Sequence, residues 1–131
     1  MSKTSTLKAA AGLVENDDNI LLVQLPQWYA NEAEKWVLPG GMVDSGETPQ
    51  QAVLREIAEE TNIEVEVTEQ LFIDKSSSAE MHFFKCRYVA GEIIHQADEL
   101  DSAQWIPIID LVHTDLGYNN YSLLKRWGYI R

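Results

Sequence analysis

Between Thr48 and Ile63 the chain reads TPQQAVLREIAEETNI, a segment that carries start and stop signals for one helix, so the other residues must fold around it. Thr48 suits an N-cap, Pro49 the first helical position, and Gln51 the third, where it completes a capping box. Val53, Leu54, Ile57 and Ala58 form an apolar stripe that runs to about Thr61. Asn62 follows; asparagine is second only to glycine in taking the left-handed conformation that ends a helix. Glu56, Glu59 and Glu60 lie three and four residues apart near that end, a spacing that puts their carboxylates on one face. Like charges there repel, and anions at a helix C-terminus oppose the macrodipole. Each effect costs roughly a few tenths of a kcal/mol, and both act in one direction. A solvated acidic face is the ordinary reading of three glutamates, but a local rule broken this consistently marks a functional site. A divalent cation is the natural compensation, and an all-carboxylate donor set suits hard Mg²⁺ or Mn²⁺.

Strands are expected on both sides of this helix. Residues 7–14 (LKAAAGLV) read as a buried strand, with residues 20–25 as its hairpin partner across residues 15–19. Pro26 ends that partner and opens a loop, PQWYANEAEK. Residues 35–38 make a short strand running into a sharp turn at Pro39-Gly40-Gly41. Residues 63–75, 81–89 and 103–106 read as further strands, with a loop at residues 76–78 and a turn at Gly91-Glu92 before Ile93 and Ile94. Residues 107–112 suggest a short helix and residues 120–127 a longer one. Hairpin-length links around one helix predict an α+β fold, a mixed and mostly antiparallel sheet packed by helices. A length of 131 residues fits a single domain over 1–131.

Gly41, Glu47, Arg55, Glu56, Ile57, Glu59, Glu60 and Ile63 fall in register on the pattern G-x5-E-x7-R-E-U-x-E-E-x-G-U, where U is a bulky aliphatic residue. The segment therefore resembles the signature of the Nudix (MutT-like) hydrolases. It departs at one position, Asn62, where the family has glycine. The resemblance implies a Nudix-type α/β/α sandwich and metal-dependent hydrolysis of a nucleoside diphosphate linked to a group X, with water attacking a phosphorus. It implies Glu56, Glu59 and Glu60 as metal ligands, with the carbonyl of Gly40 completing the shell. Arg55 would fix the orientation of the glutamates, and Glu47 would hold the preceding loop to the helix. Family members often draw the general base from the loop before the last strand, which here offers Asp98, Glu99 and Asp101. Glu99 is the first choice, Asp98 the second, and Glu60 itself a third if it is not a direct ligand. The nearby His95 stands alone, and a lone exposed histidine is usually no more than that.

Trp28 and Tyr29 sit on the 26–35 loop, where a nucleobase could stack for about 1–3 kcal/mol; they could equally anchor the loop on the sheet. Gly41 is grouped with them as a substrate contact. Trp36, Trp105 and Trp127 lie within expected elements and suit the core. Lys35, Lys75, Lys85 and Arg87 are candidate phosphate contacts or plain surface cations. No proline occurs between Pro49 and Pro107, unlike the ADP-ribose hydrolase type, and Tyr88 comes too late for the diadenosine polyphosphate type. The markers of the NADH and coenzyme A types are absent as well. A MutT-like nucleoside triphosphate pyrophosphohydrolase remains. A Nudix-fold binding or regulatory module without catalysis is the alternative, though such a module typically loses carboxylates and this chain keeps all four. A plain interaction domain would leave the clustered glutamates unexplained. Lys and Arg total 10 against 21 Asp and Glu, a net charge of −11. Nucleic acids and anionic membranes are thus poor partners, and a small nucleotide polyphosphate is the expected one. No apolar run reaches membrane-spanning length, and MSKTSTLKAA lacks the core of a signal peptide. The single cysteine, Cys86, suits core packing and a reducing compartment. The chain is expected in the cytoplasm, with a homodimer left open.

Overall fold

β1 (Leu7–Asn16) runs through the middle of the fold in the computed structural model, which describes residues 7–76 and 78–131. The readings made for residues 1–6 and for Ser77 lie outside the described residues. β1 is built mainly from small residues, and Ala9, Ala10, Ala11, Leu13 and Val14 are buried on both of its faces. On one edge it pairs in parallel with β6 (Ala79–Ala90), from Leu7 opposite Ala79 to Glu15 opposite Arg87. Its other edge pairs antiparallel with β2 (Asn19–Gln24) and β4 (Gly40–Met42). β3 (Trp36–Val37) and β7 (Ser102–Pro107) join β2, and β5 (Glu64–Asp74) joins β6, all antiparallel. Among the described residues one mixed, mostly antiparallel sheet of seven strands results.

Helices cover both faces, so the fold is an α/β/α sandwich. α1 (Pro49–Thr61) packs Ala52, Val53 and Ile57 against Ala10, Val14 and Phe84. On the opposite face, Leu123 and Leu124 of α2 (Asn120–Arg126) and Leu111 of a 3₁₀ helix, Ile108–His113, pack against Leu13, Leu22 and Phe83. Cys86 lies in the first of these cores, and burial pushes its thiol up to about 12, so it serves packing. No helix among the described residues is long and apolar enough to cross a membrane.

Several local expectations change. The hairpin link is only two residues, Asp17 and Asp18, with φ of 48° and 63°, because this turn matches the twist of the flanking strands. Pro39-Gly40-Gly41 is no free turn: Gly40 and Gly41 belong to β4. The glycines signal close approach here, since a Cβ on Gly40 would lie 2.1 Å from the carbonyl oxygen of Ala10. After the Gly91-Glu92 turn, the N–H of Ile94 donates to the carbonyl of Thr61 at 3.0 Å, tying this stretch to the end of α1. In α1, Val53, Leu54 and Ile57 face the core as expected, but Ala58 is exposed and Thr61 is buried. Thr61 tolerates burial because its hydroxyl donates to the carbonyl of Ile57 at 2.6 Å and accepts the N–H of Ile63 at 3.2 Å.

The ends of α1 follow the sequence closely. The Thr48 hydroxyl accepts the N–H of Gln51 at 3.1 Å, and the Gln51 side chain accepts the N–H of Thr48 at 2.9 Å. Asn62 is left-handed (φ 64°, ψ 15°), and its side-chain amide donates to the carbonyl of Glu92 at 3.0 Å. Asn62→Gly is expected to leave stability within about 0.5 kcal/mol, since easier backbone geometry offsets the lost hydrogen bond. Asn62→Val should lose about 1–2 kcal/mol, because a β-branched residue resists φ > 0. Equal urea midpoints for the two variants would refute this account of the helix end.

Candidate active site

Arg55 is the centre of the acidic cluster. Its Nε and Nη2 form a fork on Glu47 at 2.8 and 2.9 Å. Nη1 donates to Glu56 at 2.8 Å and to Glu59 at 3.2 Å, and Nη2 also donates to the carbonyl of Met42 at 3.1 Å. Asp44 adds an ion pair at 3.4 Å. Glu47 in turn accepts the N–H of Asp44 at 2.9 Å, tying the loop after β4 to the helix. Hydrogen bonding to Arg55 holds the Glu47 carboxyl down at about 2, and its bonds to Glu47 and Glu56 push the guanidinium above its ordinary value.

Glu56 and Glu60 face the backbone of β4. The Glu56 carboxylate stands so close to Gly41 that a Cβ there would lie 2.6 Å from Glu56 Cδ. Glu60 Oε1 accepts the N–H of Gly40 at 2.9 Å, and no salt-bridge partner for Glu60 is found among the described residues. Burial raises the Glu56 carboxyl above the usual range, against the opposing pull of Arg55. Burial is also the largest cause at Glu60, which is pushed up to about 8; repulsion from Glu56, Glu99 and Glu59 adds to it. This is the chemistry of a hard-cation site: mostly buried carboxylate oxygens with excess negative charge. Among the described residues, however, no three acidic, histidine or cysteine side chains converge to hold a metal ion. Glu56 and Glu59 are turned to Arg55 instead. The donor types fit a divalent cation, and the orientation is that of a site held open by its arginine.

The loop before β7 reaches this helix end. The N–H of Gln96 donates to the carbonyl of Glu60 at 3.1 Å, and those of Glu99 and Leu100 both turn back to the carbonyl of Gln96. Buried Leu100 pins the loop into a small core with Val23, Leu25 and Val37. Glu99 is thereby brought near enough to Glu60 for its charge to raise the Glu60 carboxyl. His95 lies on the same loop, half-buried.

A cleft of about 580 Å³ opens on the other side of β4, lined by Gly40 and Gly41 together with Tyr29, Phe83, Tyr118 and Asn119 among others. Tyr29 thus lines the cleft; its neighbour Trp28 is 71% exposed and does not. The candidate cations are elsewhere: Lys35 pairs with Glu32 and Arg87 with Glu66, and neither they nor Lys75 and Lys85 line the cleft. Sequence reasoning missed the wall formed by residues 117–120, GYNN, because it carries no periodic pattern. Its one signal was tyrosine beside paired asparagines. Tyr118 hydrogen-bonds Tyr29 across 89 positions of sequence, and Asn120 accepts the N–H of Leu38 at 2.7 Å.

Residues 6–127 match the family model described as NUDIX domain. The chain is 33% identical over 100 residues to the NAD-capped RNA hydrolase NudC of Pseudomonas aeruginosa, covering 73% of this chain and 34% of that protein. It is 40% identical over 57 residues to the 8-oxo-dGTP diphosphatase of Escherichia coli, 44% of each chain. The crystal structure of a MutT NUDIX hydrolase from Burkholderia pseudomallei superposes with a TM-score of 0.73 at 27% identity, covering 93% of this chain and 98% of that one. The chain spans about a third of the length of the first curated relatives it matches.

The Glu60 environment makes stability depend on pH in a defined direction. The folded chain keeps this proton up to about 8, while the unfolded chain releases it near the ordinary 4.5. Between those values the folded state binds more protons, so stability falls as pH rises through the window and levels off above it. With chelator present, Glu60→Gln should flatten this decline in melting temperature. An unchanged slope in the variant would remove Glu60 as its source.

Proposed function

The chain belongs to the NUDIX domain family, whose hydrolases cleave pyrophosphate bonds of nucleoside diphosphate derivatives with a divalent metal ion, and we propose that it hydrolyses small nucleoside polyphosphates. The observation that carries this reading is the shared wall of β4. Its backbone touches Glu56 and Glu60 on one side and lines a nucleoside-sized cleft on the other. A nucleoside in the cleft would have to pass its phosphates around the edge of β4 to meet the carboxylates.

Glu56, Glu59 and Glu60 would hold Mg²⁺ or Mn²⁺, with backbone help from Gly40. The metal would offset charge on the phosphate oxygens and acidify the attacking water. Arg55 keeps Glu56 and Glu59 oriented, and Glu47 holds Arg55 and the loop in place. Glu99 would take the proton as water attacks phosphorus, a role for which its place beside Glu60 suits it better than Asp98. Tyr29 would contact the base, and Gly41, lacking a side chain, would let the phosphates approach. Trp28 would stack only on parts of the ligand outside the cleft. Within the family we favour a nucleoside triphosphate pyrophosphohydrolase, as the likeness to the 8-oxo-dGTP diphosphatase supports. The likeness to NudC supports capped RNA as a second substrate class, which a net charge of −11 opposes. A buried thiol suits the cytoplasm.

The test is product release from a panel of nucleoside triphosphates, NAD and NAD-capped RNA, with and without Mg²⁺ or Mn²⁺. Triphosphates should be cleaved only with metal. Faster cleavage of capped RNA would move the substrate class, and no cleavage of any would favour a binding module. Glu59→Gln and Glu60→Gln should each lower turnover by about a hundredfold or more. Glu99→Gln should cost about 10²–10⁴-fold in turnover, the range of a general base, and flatten the acidic limb of the pH–rate profile. Asp98→Asn should be mild; if it is the damaging change, the base is Asp98.

A further inference from the structure

We propose that Tyr118 is a specificity-determining residue, forming with Tyr29 a hydroxyl-linked clamp that selects ligands carrying a planar heteroaromatic group; this rests on the nucleotide reading above. Tyr118 has φ of 48°, in the left-handed region that a residue with a Cβ seldom occupies. Its side chain is 58% exposed, so burial in the core does not account for that strain. Ties on both sides hold it there. The N–H of Gly117 donates to the carbonyl of Trp36 at 2.8 Å, and Asn119 donates to Asp74 at 3.2 Å. The backbone is thus forced to present an aromatic side chain at the rim of the cleft.

At that rim the Tyr118 hydroxyl donates to the Tyr29 hydroxyl at 2.9 Å. With the Tyr118 proton committed, Tyr29 keeps its own O–H as a donor, and the Tyr118 oxygen can still accept. The pair therefore offers one donor and one acceptor above a floor that includes Leu38, Met81 and Phe83. Trp28 stands 6.1 Å from Tyr29, extending the aromatic edge into solvent. A heterocycle with a carbonyl beside a ring N–H or amino group meets both needs, and its π-face suits the rings. Phosphate can accept the Tyr29 proton, but its anionic oxygens give the Tyr118 oxygen no donor and the rings no π-face.

The experiment is calorimetric titration of wild type, Tyr118→Phe and Tyr118→Gly with guanosine and adenosine 5′-monophosphates, using inorganic pyrophosphate as the base-free probe. Tyr118→Gly should weaken monophosphate binding by about tenfold or more, the scale of one lost base–aromatic contact. Tyr118→Phe should weaken it about three- to tenfold, the scale of one hydrogen bond. Pyrophosphate binding should stay within about twofold, and the loss in turnover should fall on KM rather than kcat. Tyr118→Gly should melt at or above wild type, because glycine takes φ > 0 without strain; a merely structural tyrosine would melt lower. The clamp is overturned if wild type binds no monophosphate, if Tyr118→Gly binds within about twofold of wild type, or if pyrophosphate binding falls equally. Monophosphate binding that depends on Tyr118, without hydrolysis of any nucleotide, would keep the clamp and remove the hydrolase reading. Hydrolysis with Tyr118→Gly unaffected would do the reverse.

Discussion

An arginine has five N–H donors, and all those of Arg55 are committed within the site, to Glu47, Glu56, Glu59 and the carbonyl of Met42. No basic residue lies in the last turn of α1, so Arg55 is the cation that meets this helix's carboxylates. The same guanidinium fastens the loop after β4 through Glu47 and thereby fixes where β4 meets the helix. A lysine could not replace it, because an ammonium offers three donors from one point and cannot make the fork on Glu47. The positions of Glu47, Glu56 and Glu59 trace back to this one planar side chain, while Glu60 is held by the N–H of Gly40.

The second constraint is steric. β4 passes so close to β1 and to Glu56 that neither Gly40 nor Gly41 has room for a Cβ. What reads as flexibility in sequence is thus close packing in the fold. A two-glycine strand gives Glu60 a backbone N–H on the helix side and leaves smooth backbone toward the cleft. Charge and ligand space are separated by the thickness of one chain.

The helix was legible from sequence because its signals are local: cap, N1 proline, capping-box partner and left-handed stop lie within fifteen residues, and each acts on its neighbours. Arg55 and Glu47 were legible as members of one motif, and the fold pairs them at 2.8 and 2.9 Å. β4 was not, because glycine signals a turn and a close approach alike. The wall of residues 117–120 was hidden for a different reason. Asn120 acts on Leu38 and Tyr118 on Tyr29, contacts 82 and 89 positions apart that no local pattern encodes. The core-facing side of α1 was legible in Val53, Leu54 and Ile57, but not its edge: Thr61, which satisfies its hydroxyl against the backbone of its own helix, is buried where Ala58 was expected. The family pattern supplied the fold because it summarises such long-range contacts.

Among the described residues, two that break a local rule lie on either side of the same strand. Glu60 is a mostly buried acid with acidic neighbours, and Tyr118 is a left-handed residue with a full side chain. Neither helps the fold. Stability is supplied elsewhere, by the capped helix, the buried cores and a central strand paired on both edges, and it is enough to hold both in place. A substitution that relieves either cost removes the group that would meet a cation or a base. Under the proposed roles, stability and ligand recognition oppose one another at these positions, the expected signature of residues that serve binding rather than support.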